Sequence, residues 1–196
     1  MTSKTSPQLG KRFEEALILA NQLHAGQKRK GTHVPYISHL LSTAALVLQD
    51  GGDEDEAIAS LLHDAVEDQG GEETLALIRE KFGEKIATIV DECSDTDVTP
   101  KPPWRKRKED HITRLQSASS STHRVMLADK LHNARALLRE LRDQGEAAWE
   151  VFRGGKEGML WYYRTTHEIL GKTNQGYLWQ EFGRVIEEIE RLAGVE

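Results

Sequence analysis

The side chains best suited to chemistry in this sequence are two histidines and two aspartates that lie in apolar stretches. They are His39 in PYISHL, the adjacent pair His63 and Asp64 in LLHDAVED, and Asp129 in MLADKLHN. Two imidazoles and two carboxylates form a ligand set for one divalent cation that keeps positions open for water and substrate. A metal ion with a carboxylate beside it indicates a hydrolytic reaction.

Two further acids, Glu67 and Asp68, follow the histidine–aspartate pair at a spacing of four residues. Residues four apart on one continuous helix share a face, so this spacing predicts that all four side chains form one polar flank. Neighbouring carboxylates repel one another unless a cation compensates them, which favours a metal site over a solvated helix end.

Each of these residues also has a simpler interpretation when it is taken alone. A single histidine in an apolar stretch, such as His39, is more often hydrogen-bonded within a core. Asp129 could pair with the nearby Lys130 or Arg135. The ordered set of His, then His-Asp, then Asp makes metal binding the favoured interpretation.

The bulk properties limit the remaining classes of function. The chain has 196 residues, 38% of them hydrophobic and 30% charged, which is typical of one soluble domain with a real core. Its net charge of −6 gives no general electrostatic case for binding nucleic acid or an anionic membrane. Cys93 is the one cysteine, so an intrachain disulfide is excluded. With no long apolar run and no apolar signal core near the N-terminus, a cytoplasmic protein without a membrane span is expected.

Helical periodicity dominates the chain, and no convincing strand pattern interrupts it. We therefore predict an all-α fold of about eight to ten helices, with residues 1–196 as a single domain. Asp53 followed by Glu56 predicts a capping box at the start of one helix. The other helices are expected over 13–23, 40–48, 73–82, 84–93, 105–118, 122–143, 156–170 and 175–193, with a proline-rich loop at 94–104.

The segments that carry these residues resemble the HD-domain phosphohydrolase superfamily, whose pattern is H…HD…D. The chain looks still more like the (p)ppGpp hydrolase domain of RelA/SpoT-type proteins and the small stand-alone alarmone hydrolases. The matching segments are HAGQKRKGTHVPYISH (24–39), LLHDAVEDQGG (61–71), FGEKIATIVDECSD (82–95) and VMLADKLHNAR (125–135). The resemblance spans roughly residues 13–140, and the C-terminal helices at about 145–193 lie beyond it.

The resemblance implies an all-helical HD-domain bundle with one manganese ion. It also implies hydrolysis of the 3′-pyrophosphate of ppGpp or pppGpp, which releases pyrophosphate and GDP or GTP. Position by position, it implies metal ligands at His39, His63, Asp64 and Asp129, and a pair that handles the attacking water at Glu67 and Asp68. It implies nucleotide contacts at Arg29, Lys30 and Asn133, and an approach of Lys108 to the phosphates.

Other interpretations stay open on the sequence alone. An HD phosphohydrolase that acts on another nucleotide or nucleotide-cofactor phosphate needs the same metal site. A nucleotide-binding module without turnover is less favoured, because a pure sensor has no need of Glu67 and Asp68. The expected partner is a small-molecule nucleotide, and the chain is expected to be a monomer or a homodimer.

The aromatic residues that could stack on a purine, or else belong to the core, are Trp104, Trp161, Tyr162 and Tyr163.

Overall fold

Ten α-helices and one 3₁₀ helix form the part of the chain that the computed structural model describes, residues 8–96 and 100–195. The elements are α1 (Lys11–Leu23), α2 (Ile37–Gln49), α3 (Glu54–Leu62), α4 (Ala65–Gln69), α5 (Gly71–Phe82), α6 (Glu84–Cys93), α7 (Trp104–Leu115), α8 (Ser120–Gln144), the 3₁₀ helix (Gly145–Trp149), α9 (Gly155–Leu170) and α10 (Tyr177–Leu192). Within those two ranges no strand is formed, and Lys28 and Pro35 make one isolated bridge. The predicted all-α class is confirmed.

The predicted capping box fixes the start of α3. The Asp53 carboxylate accepts a hydrogen bond from the backbone N–H of Glu56 at 2.8 Å, and the Glu56 carboxylate accepts one from the backbone N–H of Asp53 at 2.9 Å. Two of the N–H groups that a helix start leaves unpaired are thereby satisfied. Glu56 also accepts from Arg124 of α8 at 2.6 Å. The cap therefore ties α3, which leads into the segment with His63 and Asp64, to α8, which carries Asp129.

The prediction of one continuous helix through LLHDAVED is wrong. The helix α3 ends at Leu62 and α4 begins at Ala65, so His63 and Asp64 lie in the turn between them. The carbonyl of Ser60, which would continue the helical hydrogen bonds, instead accepts from Nδ1 of His63 at 2.8 Å. Such a local side-chain bond competes with the helix and favours a break.

The long helix α8 is the axis on which the other elements pack. The helices α2, α3, α6, α9 and α10 all pack against it. The start of α8 is capped by Ser119, whose hydroxyl accepts from the backbone N–H of Thr122 at 3.1 Å, so the helix begins earlier than predicted. In the described residues no helix is long and apolar enough to cross a bilayer.

The proline-rich segment separates α6 from α7, as predicted. Residues 94–96 and 100–103 carry no helix or strand, and residues 97–99 of the predicted loop lie outside the described ranges. Arg114 of α7 donates to the backbone carbonyl of Asp95 at 2.6 Å, so the first part of the segment is held against α7. Arg107 of α7 also lies 3.8 Å from the Glu67 carboxylate of α4, the helix that follows His63 and Asp64.

Candidate metal centre and anion cavity

Four side chains from α2, the α3–α4 turn and α8 meet inside the bundle. Nε2 of His39 lies 3.4 Å from Oδ2 of Asp64 and 3.2 Å from Oδ1 of Asp129. Nε2 of His63 lies 3.1 Å from Oδ2 of Asp64 and 3.7 Å from Oδ1 of Asp129. His39, His63 and Asp129 are buried, and Asp64 is partly exposed. The structure thus brings together all four residues that the sequence singled out as ligands.

The donor atoms of His39, His63 and Asp129 lie within 4.8 Å of one another and fit a divalent cation, and Asp64 lies against both histidines. Among residues 8–96 and 100–195, Nε2 of His39 and Nε2 of His63 are buried and have no hydrogen-bond partner. Because His63 donates from Nδ1 to the carbonyl of Ser60, Nε2 is the ring nitrogen that faces the cluster. A buried nitrogen without a partner is costly unless a ligand engages it. Imidazole nitrogens together with carboxylate oxygens suit a divalent transition-metal ion.

Both carboxylates of the cluster are held in the ionised form. Burial alone would raise the pKa of Asp129, but the Lys130 ammonium, 2.6 Å from its Oδ2, holds that pKa well below the usual value. Burial is likewise outweighed at Asp64, where the neighbouring His63 holds the pKa well below its usual value. The hydroxyl of Tyr36 also donates to Asp64 at 2.6 Å. A cation can therefore bind here without first displacing a carboxyl proton.

The two acids of α4 have different surroundings. The Glu67 carboxylate accepts from Lys101 at 2.9 Å, whereas the Asp68 carboxylate accepts from the amide of Gln27 at 2.8 Å. Partial desolvation and the negative charge of Asp64 raise the pKa of Asp68 above its usual value. Glu67 is thus an ion-paired group, and Asp68 takes up a proton more readily than an ordinary aspartate.

A cavity of about 600 Å³ adjoins the cluster and is lined by six basic side chains and one acidic side chain, Glu140. Its basic lining residues are Arg29, Lys30, Lys108, Lys130, Arg135 and Arg139. This surface contrasts with the net charge of −6 for the whole chain. A cavity with clustered basic groups attracts a polyanion, and its guanidinium and ammonium groups give charge-assisted hydrogen bonds to phosphate.

The residues predicted to contact the nucleotide all line this cavity; they are Arg29, Lys30, Lys108 and Asn133. The amide of Asn133 donates to Oδ1 of Asp129 and accepts from the guanidinium of Arg29. Asn133 therefore connects the anion cavity to the candidate metal centre. Lys108 donates to Asp95 at 2.9 Å, which fixes its position at the edge of α7.

Three side chains at the site went beyond the sequence assignments. The ring of His132 meets His39, with 2.8 Å between their Nδ1 atoms. Burial and the neighbouring His39 lower the pKa of His132 to about 4. The sequence predicts no role for Tyr36 of the PYISH segment, and it offers Lys130 only as an ion-pair partner for Asp129. The sequence signal that could have found these three residues is their position within three residues of His39 or Asp129.

The aromatic residues form the wall between α7 and α9. Tyr162 and Tyr163 are buried, whereas Trp104 and Trp161 are partly exposed. A Cβ atom at Gly158 would lie 2.9 Å from Cζ3 of Trp104, so the indole lies directly on the backbone of α9. Trp104 and Tyr162 line the cavity. Tyr162 is therefore a core residue that also lines the cavity, and stacking on a purine stays a prediction.

Two histidines and two aspartates at the centre of an all-helical bundle define the HD class of proteins. The chain belongs to the HD domain family, whose model matches residues 16–154. The Xenopus tropicalis protein named guanosine-3′,5′-bis(diphosphate) 3′-pyrophosphohydrolase MESH1 is 37% identical over 128 residues, which cover 64% of this chain and 69% of that protein. An Aquifex aeolicus protein, also named guanosine-3′,5′-bis(diphosphate) 3′-pyrophosphohydrolase, is 33% identical over 134 residues, 67% of this chain but only 18% of that much longer protein.

Solved structures share the fold over most of the chain. One is described as a metazoan ortholog of SpoT that hydrolyzes ppGpp; it has a TM-score of 0.72 and 24% identity, and the match covers 96% of this chain and 99% of that one. A crystal structure from Listeria monocytogenes EGD-e has a TM-score of 0.68 and 28% identity, covering 81% of this chain and 99% of that one. The HD-type helical bundle implied by the resemblance is confirmed.

Proposed function

We propose that this protein is a metal-dependent hydrolase that removes the 3′-pyrophosphate from ppGpp and pppGpp and releases GDP or GTP. The observation that carries the proposal is the meeting of two histidines and two aspartates beside a cationic cavity of about 600 Å³. Hydrolysis of a multiply phosphorylated nucleotide needs both a Lewis acid and groups that offset the phosphate charge. The activity named for relatives such as Xenopus MESH1, at 37% identity, supports this substrate.

The proposed metal ligands are His39, His63, Asp64 and Asp129, and the proposed ion is Mn²⁺. When bound, a divalent cation lowers the pKa of a water and polarises a phosphoryl oxygen. Asp68, with its raised pKa, accepts the proton of the attacking water. Glu67, ion-paired with Lys101, orients that water.

The remaining residues bind the nucleotide. Arg29, Lys30 and Lys108 offset the charge of the phosphates, and Asn133 contacts the sugar. Because Asn133 bonds both Arg29 and Asp129, substrate position and metal position are coupled through one amide. We also propose that the protein acts in the cytoplasm as a monomer or homodimer, in keeping with its buried free thiol at Cys93.

The proposal is tested by incubating the protein with ppGpp and Mn²⁺ and identifying the products. We expect GDP and pyrophosphate, and no turnover after addition of a chelator, because the reaction needs the Lewis acid. Release of orthophosphate instead would favour an HD phosphohydrolase of different specificity. Nucleotide binding without any product would favour a module that does not turn over.

The basic pair at the cavity should act selectively on the multiply phosphorylated substrate. Arg29→Ala and Lys30→Ala are each expected to lower kcat/KM for ppGpp by about 10- to 100-fold, the scale of one charge-assisted phosphate contact. The loss on p-nitrophenyl phosphate should be much smaller, because that substrate has a single phosphate. Lys28→Ala, an exposed change in the same loop, is the matched control.

Steady-state kinetics on both substrates decide the role of this pair. Equal losses on ppGpp and p-nitrophenyl phosphate would mean that Arg29 and Lys30 support the fold or the metal centre. Unchanged kinetics on both substrates would mean that Arg29 and Lys30 are ordinary solvated loop residues. Unchanged kinetics would be most informative for Lys30, because its side chain is exposed and its Nζ lies 5.9 Å from the centre of the Phe152 ring.

A further inference from the structure

The hydroxyl of Tyr162 is a buried polar group without a partner in the described residues, and Tyr162 lines the cavity. Tyr162 lies on α9, is 3% exposed and lines the cavity. Within residues 8–96 and 100–195, its Oη atom has no hydrogen-bond partner. A buried hydroxyl that gives up water without gaining a partner is destabilising, so such a group at a cavity wall indicates a ligand that supplies the bond.

Two ammonium groups lie close to the same phenol ring. Nζ of Lys108, on α7, is 4.9 Å from the ring centre, and Nζ of Lys130, on α8, is 5.4 Å from it. Each ammonium has three donors. One donor of Lys108 goes to Asp95 and one of Lys130 goes to Asp129. Further donors of both groups are therefore available to an anion in the cavity.

The phenol ring is held in place by rigid packing. The Trp104 ring meets it edge to face, with 6.3 Å between ring centres. Trp104 in turn lies directly against Gly158, where a Cβ atom would approach its ring to 2.9 Å. Three helices, α7, α8 and α9, thus fix one hydroxyl and two ammonium groups relative to one another. Fixed donors of this kind bind an anion without a large ordering cost.

We propose that Tyr162 is a further substrate-binding residue, whose phenolic O–H donates a hydrogen bond to a phosphate oxygen held by Lys108 and Lys130. The identity of the nucleotide rests on the proposed function, but the contact itself requires only a diphosphate group. The site therefore takes the diphosphate of the substrate or the pyrophosphate product. Tyr162 acts through binding, so its loss raises KM for ppGpp and leaves kcat largely unchanged.

The test is the affinity of metal-free protein for inorganic pyrophosphate, measured by isothermal titration calorimetry on wild type and Tyr162→Phe. The substitution keeps the ring and its packing and removes only the hydroxyl. We expect the Kd to rise about tenfold, the effect of losing one hydrogen bond to a charged group. The Tm should not fall, because the hydroxyl has no partner within the described protein. Tyr177→Phe is the matched control, since Tyr177 is 48% exposed.

Each outcome bears on the proposal. A Kd of Tyr162→Phe within about twofold of wild type, or no binding of pyrophosphate to wild type, would overturn it. A rise in Kd accompanied by a clear fall in Tm would also overturn it, because the hydroxyl would then be structural. Wild-type binding that is weakened in Tyr162→Phe, without hydrolysis of ppGpp, would reject the proposed function and keep the assignment of Tyr162.

Discussion

Asp64→Ala is expected to abolish manganese binding and ppGpp hydrolysis together. Asp64 lies 3.1 Å from His63 Nε2 and 3.4 Å from His39 Nε2, so it supplies one of two carboxylates at the proposed metal centre. The three remaining groups carry one negative charge instead of two, and a divalent cation is correspondingly less well compensated. Metal content after loading and desalting, measured by elemental analysis, should fall from about one ion per chain to background.

Asp143→Ala is the matched control, because Asp143 is an exposed carboxylate near the end of α8. Thermal melts separate loss of metal from loss of fold. Added Mn²⁺ should raise the Tm of wild type and of the control, since a ligand that binds only the folded state stabilises it, and should leave Asp64→Ala unchanged. Full metal content with full activity in Asp64→Ala would reject this residue as a ligand.

Glu67→Gln and Asp68→Asn are expected to retain manganese and to lose turnover by about 100-fold or more, the scale of general acid–base catalysis. Both changes preserve side-chain shape, so the loss reports the removed charge and proton-accepting capacity. The activity of wild type should decline as the pH falls through the raised pKa of Asp68, because a protonated carboxyl cannot accept the proton of water. That acidic limb should be absent from the residual activity of Asp68→Asn.

Glu73→Gln, an exposed change in the first turn of α5, serves as the matched control. The measurements are metal content, kcat and the pH profile of kcat/KM. Rates near wild type in both variants would remove Glu67 and Asp68 from the chemistry. A loss of metal in either variant would instead indicate that the acid supports the metal centre.

Residue types and spacing predicted the all-α class and the meeting of the four candidate ligands, because both depend on local patterns and recurring motifs. The capping box at Asp53 was likewise visible, since its two hydrogen bonds join residues three apart. The break at His63 was missed because the Ser60 carbonyl had two available donors, and periodicity alone does not show which one wins. The roles of the site residues and the assignment of residues 1–196 to one domain stay predictions.

The cavity wall was less accessible to sequence reasoning. Lys108, Lys130 and Tyr162 come from three different helices, and their approach depends on how α7 packs on α9. The contact between Trp104 and Gly158 that sets this packing has no periodic signature. An apolar or aromatic residue at helical spacing is predicted to be a core residue, whether or not one edge of it faces a cavity.

The contact between His39 and His132 determines where the protons of two neighbouring imidazoles reside. If Nε2 of His39 offers its lone pair to a metal ion, the one proton of that neutral ring must sit on Nδ1. It is then donated across 2.8 Å to Nδ1 of His132, whose pKa burial lowers. His132 consequently carries its own proton on Nε2. On the proposed role of His39 as a metal ligand, each ring of the pair would adopt one tautomer, and Nε2 of His132, which lines the cavity, would be a hydrogen-bond donor.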